Sequence, residues 1–235
     1  MFSRMLCLAL CVFGLLAGGP VNVWASDVTD RSNTSIFATP IYHDPFSSCS
    51  KDCSASVFAG RYLHSSMFNV FAIRTFEPIW SYEWRDSELL AGSFSRKILE
   101  NPGWWSIEGE FGLAKRFGEL NAAENWLAVY FRWSAFPWSQ KIRTSLAIST
   151  GLSYAWSLDQ IEVANAINGG RGSHLMHYLS PEITFGLPQH PDWDLFFRLH
   201  HRSGGADVIP ALSSALFNDA AGGAQYLTTG LRYNF

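Results

Sequence analysis

The chain is short of charge. Asp, Glu, Lys and Arg make up 16% of its 235 residues, where a soluble domain carries about 25%. The formal net charge of -3 leaves no basic surplus with which to attract nucleic acid. Beyond its first residues the chain also lacks a long apolar run. No later segment approaches the ~20 apolar residues that a spanning helix needs, so any passage through a membrane has to be made by strands. Cysteine is scarce as well. Arg4, the apolar stretch Met5 to Leu16, and Val23-Trp24-Ala25 before Ser26 form the charged, apolar and small-residue zones of a secretory signal peptide. Residues 1–25 are therefore expected to be cleaved, taking Cys7 and Cys11 with them. Cys49 and Cys53 in "SSCSKDCSAS" then sit in an oxidising compartment, where a local disulfide is the expected state. Two free thiols are the alternative, and a metal site would need more ligands than nearby His43 supplies.

Aromatic residues, by contrast, are abundant, at 15% with ten Trp. Residues 26–53 are rich in Ser, Thr, Asp and Pro without a sustained period, and read as an N-terminal extension. From Ser54 onward, aromatic-rich segments of strand length recur between Gly, Pro, Asn and Asp clusters. Eight strands are predicted: Ala55 to Leu63, Glu88 to Ile98, Trp104 to Phe117, Asn125 to Ala135, Ile142 to Tyr154, Met176 to Leu187, Trp193 to Ser203 and Ala224 to Phe235. Met67 to Trp84 fits a short helix, an extra strand or a long surface loop.

Alternation indicates what surrounds these strands. In the last one, Leu227, Leu231, Tyr233 and Phe235 share a face with Gln225 and Thr229, while Tyr226, Thr228, Gly230, Arg232 and Asn234 take the other. Trp193, Leu195, Phe197 and Leu199 likewise oppose Asp194, Phe196, Arg198 and His200, and Ile107, Phe111 and Leu113 are set against Glu108, Glu110 and Lys115. Charged residues turned inward suit a small barrel whose interior is a hydrogen-bonded network and whose exterior meets lipid. Tyr and Trp at strand ends would form the interfacial girdles, and closure would leave no sheet edge in lipid. A secreted sandwich or lipocalin-like barrel is the soluble alternative, because alternation alone does not say which face meets water. "TTGLRYNF" resembles the closing strand of bacterial outer-membrane barrels, which predicts an all-β, eight-stranded antiparallel transmembrane barrel over residues 54–235, in the outer membrane.

With both barrel ends in the periplasm, the seventh strand runs outward and surfaces near Ser203. Its alternation puts His201 and Ser203 on the lipid side and His200 and Arg202 inward. A base and a hydroxyl two residues apart on one strand face are the elements of an activated nucleophile. His200 alone reads as a lumen hydrogen-bonder.

"FRLHHRSGG" resembles the His-x-Ser motif in the penultimate strand of outer-membrane lipid A 3-O-deacylases of the PagL type. "FPWSQKIRTSLAISTGLSYAW", "HPDWDLFFRLHHRSGG" and "GGAQYLTTGLRYNF" are similar to a group of proteobacterial exported proteins described only as hypothetical or deacylase-like, a resemblance that bears on the barrel and adds little on the chemistry. The first resemblance implies a Ser-His-acid triad on the outside of the barrel, with His201 as base and Ser203 attacking the 3-O ester of lipid A. Lipopolysaccharide and outer-membrane lipids would be the partners, and the chemistry calls for no metal or other cofactor. The chain departs from that pattern where the family has its acid, which here is Gln225; replacement carboxylates would be Asp207, Asp219 or Glu182. Arg202, Gly204 and Gly205 are expected to contact substrate, the glycines by admitting backbone N–H groups to a tetrahedral oxyanion. Gly pairs also form ordinary turns. In "INGGRGSH", an outer loop, Arg171 and His174 are expected to meet lipid A phosphates.

Overall fold

A computed structural model of the chain describes residues 35–64, 78–158, 162–163, 172–205, 210–220 and 222–235. The predicted signal peptide of residues 1–25, Arg171, Asp207 and most of Met67 to Trp84 lie outside them. The strands are β1 (Ile41–Tyr42), β2 (Cys53–Leu63), β3 (Trp84–Asn101), β4 (Trp105–Gly118), β5 (Ala123–Trp133), β6 (Arg143–Ala155), β7 (Leu175–Leu179), β8 (Glu182–Gly186), β9 (Trp193–Ser203) and β10 (Ala224–Asn234). A 3-10 turn over Ile79–Ser81 precedes β3, and a short helix α1 (Pro210–Leu216) lies between β9 and β10. From β2 to β10 the strands pair antiparallel around a ring that β10 closes on β2.

β7 and β8 are two halves of one stave. Both run between β6 and β9, and the offset is the same on either side of the break: Leu179 faces His201, and Glu182 faces Arg198. The interruption falls at Ser180-Pro181, where proline has no N–H for the ladder. Counted this way the barrel has eight staves, a size whose interior side chains just fill.

The burial pattern is inside out for water. Val57 and Leu127 are 64% and 67% exposed at outward positions, while Arg116, Arg198 and Arg202 are essentially inaccessible. A sandwich or barrel dissolved in water needs the opposite arrangement, so the exterior solvent of this one is lipid. Trp193 against Tyr233, and Trp104 against Trp133, form part of the aromatic girdle. One predicted position is corrected. Lys115 lies on the outward side with Leu113 and Phe117, not inward with Glu108 and Glu110. It stands near the end of β4 and donates to Asn121 Oδ1 at 2.6 Å, so its apolar stem lies along the wall while the ammonium reaches a polar rim.

The lumen is filled by ion pairs. Arg132, Arg198 and Arg232 converge on Glu182. Arg198 also holds Glu110 through two bonds of 2.9 and 2.8 Å, and Trp126 Nε1 donates to the same carboxylate at 2.8 Å. Arg132 grips Glu108. Nearer the outer end, Glu124 pairs with Arg116 and His200. Above them Glu162, from the β6–β7 connection, is held by Arg116 at 2.9 Å and by Arg202 at 2.8 and 3.0 Å. Five arginines thus meet five glutamates among the described residues. The charges that would be ruinous singly in this interior are matched.

The connections orient the barrel. The ends of β2, β6 and β9 lead into 64–83, 156–174 and 204–223, whereas the opposite end has the tight β3–β4 turn at 102–104 and the C-terminus. Long connections lie on the cell-surface side of such barrels, which puts the Ser203 end of β9 outside.

Candidate functional site

The outer end of β9 is where the sequence places its chemistry, and strand register brings further residues to it. Gln225 of β10 stands opposite His201. On the other side, β7 places Leu179 opposite His201 and His177 opposite Ser203. Odd-numbered residues of all three strands face outward, so His177, His201, Ser203 and Gln225 form one polar patch on the lipid side of the wall. His177 Nε2 meets Thr150 Oγ1 of β6 at 2.9 Å, which extends the patch across a fourth strand.

The Gln225 side chain is a hydrogen-bond partner of the His201 ring. Gln225 is itself buried, and His201 Nδ1 is buried without a partner. Cα atoms two residues apart along a strand are separated by about 7 Å, whereas directly opposed residues on neighbouring strands have Cβ atoms about 5 Å apart. Ser203 is therefore flanked by two imidazoles: His201 along its own strand and His177 across the ladder. Sequence reading missed His177. Its signal lay in the pairing register between β7 and β9, which no local pattern contains.

No carboxylate joins this patch among the described residues. Glu182 points into the lumen and is consumed by three arginines, which removes it as a replacement acid. Asp219 is exposed in the outer loop, in a left-handed turn at φ 57°. Arg202 turns inward, as the alternation of β9 predicts, and its guanidinium donates to Glu162 and to the carbonyls of Ser173 and His174. An inward position on β9 cannot reach a lipid on the outer wall.

Gly204 and Gly205 serve the chain path. A Cβ on Gly204 would lie 2.0 Å from the Ala220 carbonyl oxygen, so its bare backbone lets the returning loop close over β9. Gly205 has φ 65° and open space around it. His174 stacks on Tyr154 at 5.7 Å, with its Nδ1 2.6 Å from the Ala155 carbonyl. His200 lies in the lumen against Tyr178 Oη and Glu124.

Cys49 and Cys53 are joined by a disulfide. Their loop is held by Arg96, whose Nε donates to Asp52 Oδ2 at 2.8 Å.

No family model and no curated protein matches the chain. Solved structures that do match include Neisserial surface protein A, at 12% identity over 80% of this chain and 100% of that one, with a TM-score of 0.47. The outer membrane protein OprG from Pseudomonas aeruginosa matches at 12% identity over 78% and 95%, TM-score 0.38. Ail, the attachment invasion locus protein of Yersinia pestis, matches at 13% identity over 77% and 98%, TM-score 0.31. The chain is an all-β outer-membrane barrel, and its closed ring of strands with apolar residues outside and ion pairs inside states this directly.

Proposed function

We propose that the protein is an ester hydrolase of the outer leaflet, removing an ester-linked acyl chain, the 3-O chain, from lipid A. The observation that carries this reading is the patch of His177, His201, Ser203 and Gln225 at outward positions near the cell-surface end of β7, β9 and β10. Elsewhere the outward face is mostly aliphatic or aromatic, and polar side chains in contact with lipid are costly unless they have a task.

Ser203 Oγ bonds to the ester carbonyl carbon while its proton passes to His201. The tetrahedral species expels the sugar oxygen, which takes that proton from His201. Water then attacks the acyl-serine, again losing a proton to His201, and releases the hydroxy fatty acid with Ser203 restored. Gln225 orients the imidazole without stabilising its positive charge, so the rate is expected to fall short of that of a site with a carboxylate there.

A second reading, a non-catalytic barrel with a structural or surface-binding role, is favoured by two observations: a neutral residue stands at 225, and His201 Nδ1 has no partner. Mass spectrometry of lipid A from an expressing host separates the two. Loss of one hydroxyacyl mass, absent in Ser203→Ala and His201→Asn at equal outer-membrane levels, is the expected outcome. Unchanged lipid A with the folded, inserted protein would leave the non-catalytic reading.

A further inference from the structure

Arg96 occupies an outward position. It faces Cys53 in the β2–β3 ladder, two residues beyond Phe94, which is 45% exposed on the lipid side. Arg96 itself is only 9% exposed, because residues 45–52 are folded over it. Besides Asp52, its guanidinium donates to the Pro45 carbonyl at 3.0 Å, the Ser47 carbonyl and Oγ at 2.6 Å each, and the Ser48 carbonyl at 3.4 Å. The segment before this clamp follows the same wall. β1 pairs with β3 where β2 has not yet begun, Ile41 opposite Glu100 and Tyr42 opposite Leu99. Asn101 Nδ2 donates to the Ser35 and Ile36 carbonyls at 2.9 and 3.0 Å, and the outward Trp105 donates from Nε1 to the Ile36 carbonyl at 3.4 Å.

This strap is fixed by polar ties on its barrel side, yet it turns large apolar groups away from the barrel. Phe37 and Phe46 are 92% and 94% exposed, and Ile41 and Tyr42 are exposed beside them. Phe46 is aimed by a turn in which its N–H donates to Asp44 Oδ1 at 3.0 Å. Between Ser35 and Ser48 the only ionisable groups besides Tyr42 are His43 and Asp44. His43 is 3.3 Å from Glu100, which also pairs with Lys97.

We propose that the strap from Phe37 to Phe46 is an interfacial anchor whose occupant is the phospholipid of the inner, periplasmic leaflet of the same membrane. Three observations support that occupant. The strap lies at the strand end with the tight β3–β4 turn and the C-terminus, on the outward side of β3 and β4. It continues the aromatic girdle through Trp105. It also converts a bare guanidinium on the lipid-facing wall into a covered, satisfied one, with phenyl and phenol groups presented in its place. Aromatic side chains at this depth, with nearly neutral surroundings, are those an interface accepts.

The proposal does not depend on any catalytic role for the outer end. Single cysteines replacing Phe37, Phe46 and Tyr42 are labelled with an environment-sensitive fluorophore on the disulfide-intact protein. The labelled proteins are placed in phosphatidylethanolamine/phosphatidylglycerol vesicles with or without a shallow nitroxide lipid. Asp219→Cys in the outer loop gives the water-exposed reference, the parent chain sets the labelling background, and a heat-shift gel confirms that each barrel is closed. Quenching by the nitroxide lipid at 37, 42 and 46, with a several-fold smaller response to iodide than at 219, is the expected result. Iodide quenching equal to that at 219 would overturn the proposal by placing the strap in water. Protection from both quenchers would overturn it in favour of a protein partner or a second copy covering the strap.

Discussion

Replacing Glu182 tests whether the lumen is a dry, matched network. Its carboxylate takes Arg232 through two bonds of 2.8 and 2.9 Å, Arg198 at 2.8 Å and Arg132 at 2.9 Å. In Glu182→Gln, Arg198 keeps Glu110 and Arg132 keeps Glu108. Among the described residues Arg232 has no other ion pair: its Nε donates to Ser56 Oγ at 3.3 Å, and Asp194, opposite it across the β9–β10 ladder, is taken by Arg143. The variant therefore leaves one uncompensated buried guanidinium, and breaking a buried pair in this way costs about 3–5 kcal/mol. Urea unfolding in phospholipid vesicles, followed by tryptophan fluorescence, is expected to show a loss of that size. Adding Arg232→Met should recover part of it, because the second change removes the stranded charge. A loss below about 1 kcal/mol, the range of solvated pairs, together with no recovery in the double variant, would refute the reasoning and mean that water fills the lumen.

Gly112→Ala is expected to destabilise the barrel by about 1–3 kcal/mol or more through overpacking. Its Cβ would stand 2.0 Å from Cζ2 of Trp126, a ring stacked on Tyr178 and edged by Phe58; the same unfolding assay reads the loss. Glu162 should hold the β6–β7 connection at the barrel mouth down to acid pH. Burial by itself raises its carboxyl, but Arg116 and Arg202 outweigh burial and keep it below the usual carboxylate range. Since the folded-state value is depressed, the stabilisation is fully present above the unfolded value of about 4.3 and is lost as pH falls through the lower folded one. Hydrogen exchange in a peptide spanning Glu162, taken relative to the intrinsic rate at each pH, should accelerate as pH falls through that window and not above it. In Glu162→Gln it should be fast already at neutral pH, and slow exchange there would show that the arginines do not hold the loop.

The barrel was legible in the sequence because its strongest signals are local. The alternation of β9 and β10 places Arg198 and Arg232 inward and Phe197 and Tyr233 outward without reference to any other strand. Lys115 was misplaced because charge outweighed parity: at the end of a stave a lysine can sit outward and still reach a polar rim. Glu182 was legible only as a spare carboxylate for the outer patch, since its place in the lumen rests on three arginines from three other strands. The patch at the outer end was legible to the extent that it lies on one strand, as His201 and Ser203 do. His177 entered only with the register between β7 and β9. The strap has no period because its few contacts are clamps and single backbone bonds, which leave no repeating trace.

The distribution of lumen charges along the chain also constrains the order in which the barrel can assemble. The closing hairpin, β9 and β10, carries Arg198, Arg202 and Arg232 at inward positions, and their partners Glu110, Glu162 and Glu182 all come from earlier in the chain. Glu110 and Arg198 are 88 residues apart. Entering the bilayer alone, that hairpin would bring three guanidiniums into hydrocarbon with one inward carboxylate of its own, Asp194 opposite Arg232, which leaves at least two of them unmatched. Its insertion is therefore bound to the arrival of a nearly complete ring lined with waiting carboxylates, so closure is a concerted, late event, and the last hairpin is the one least able to fold by itself.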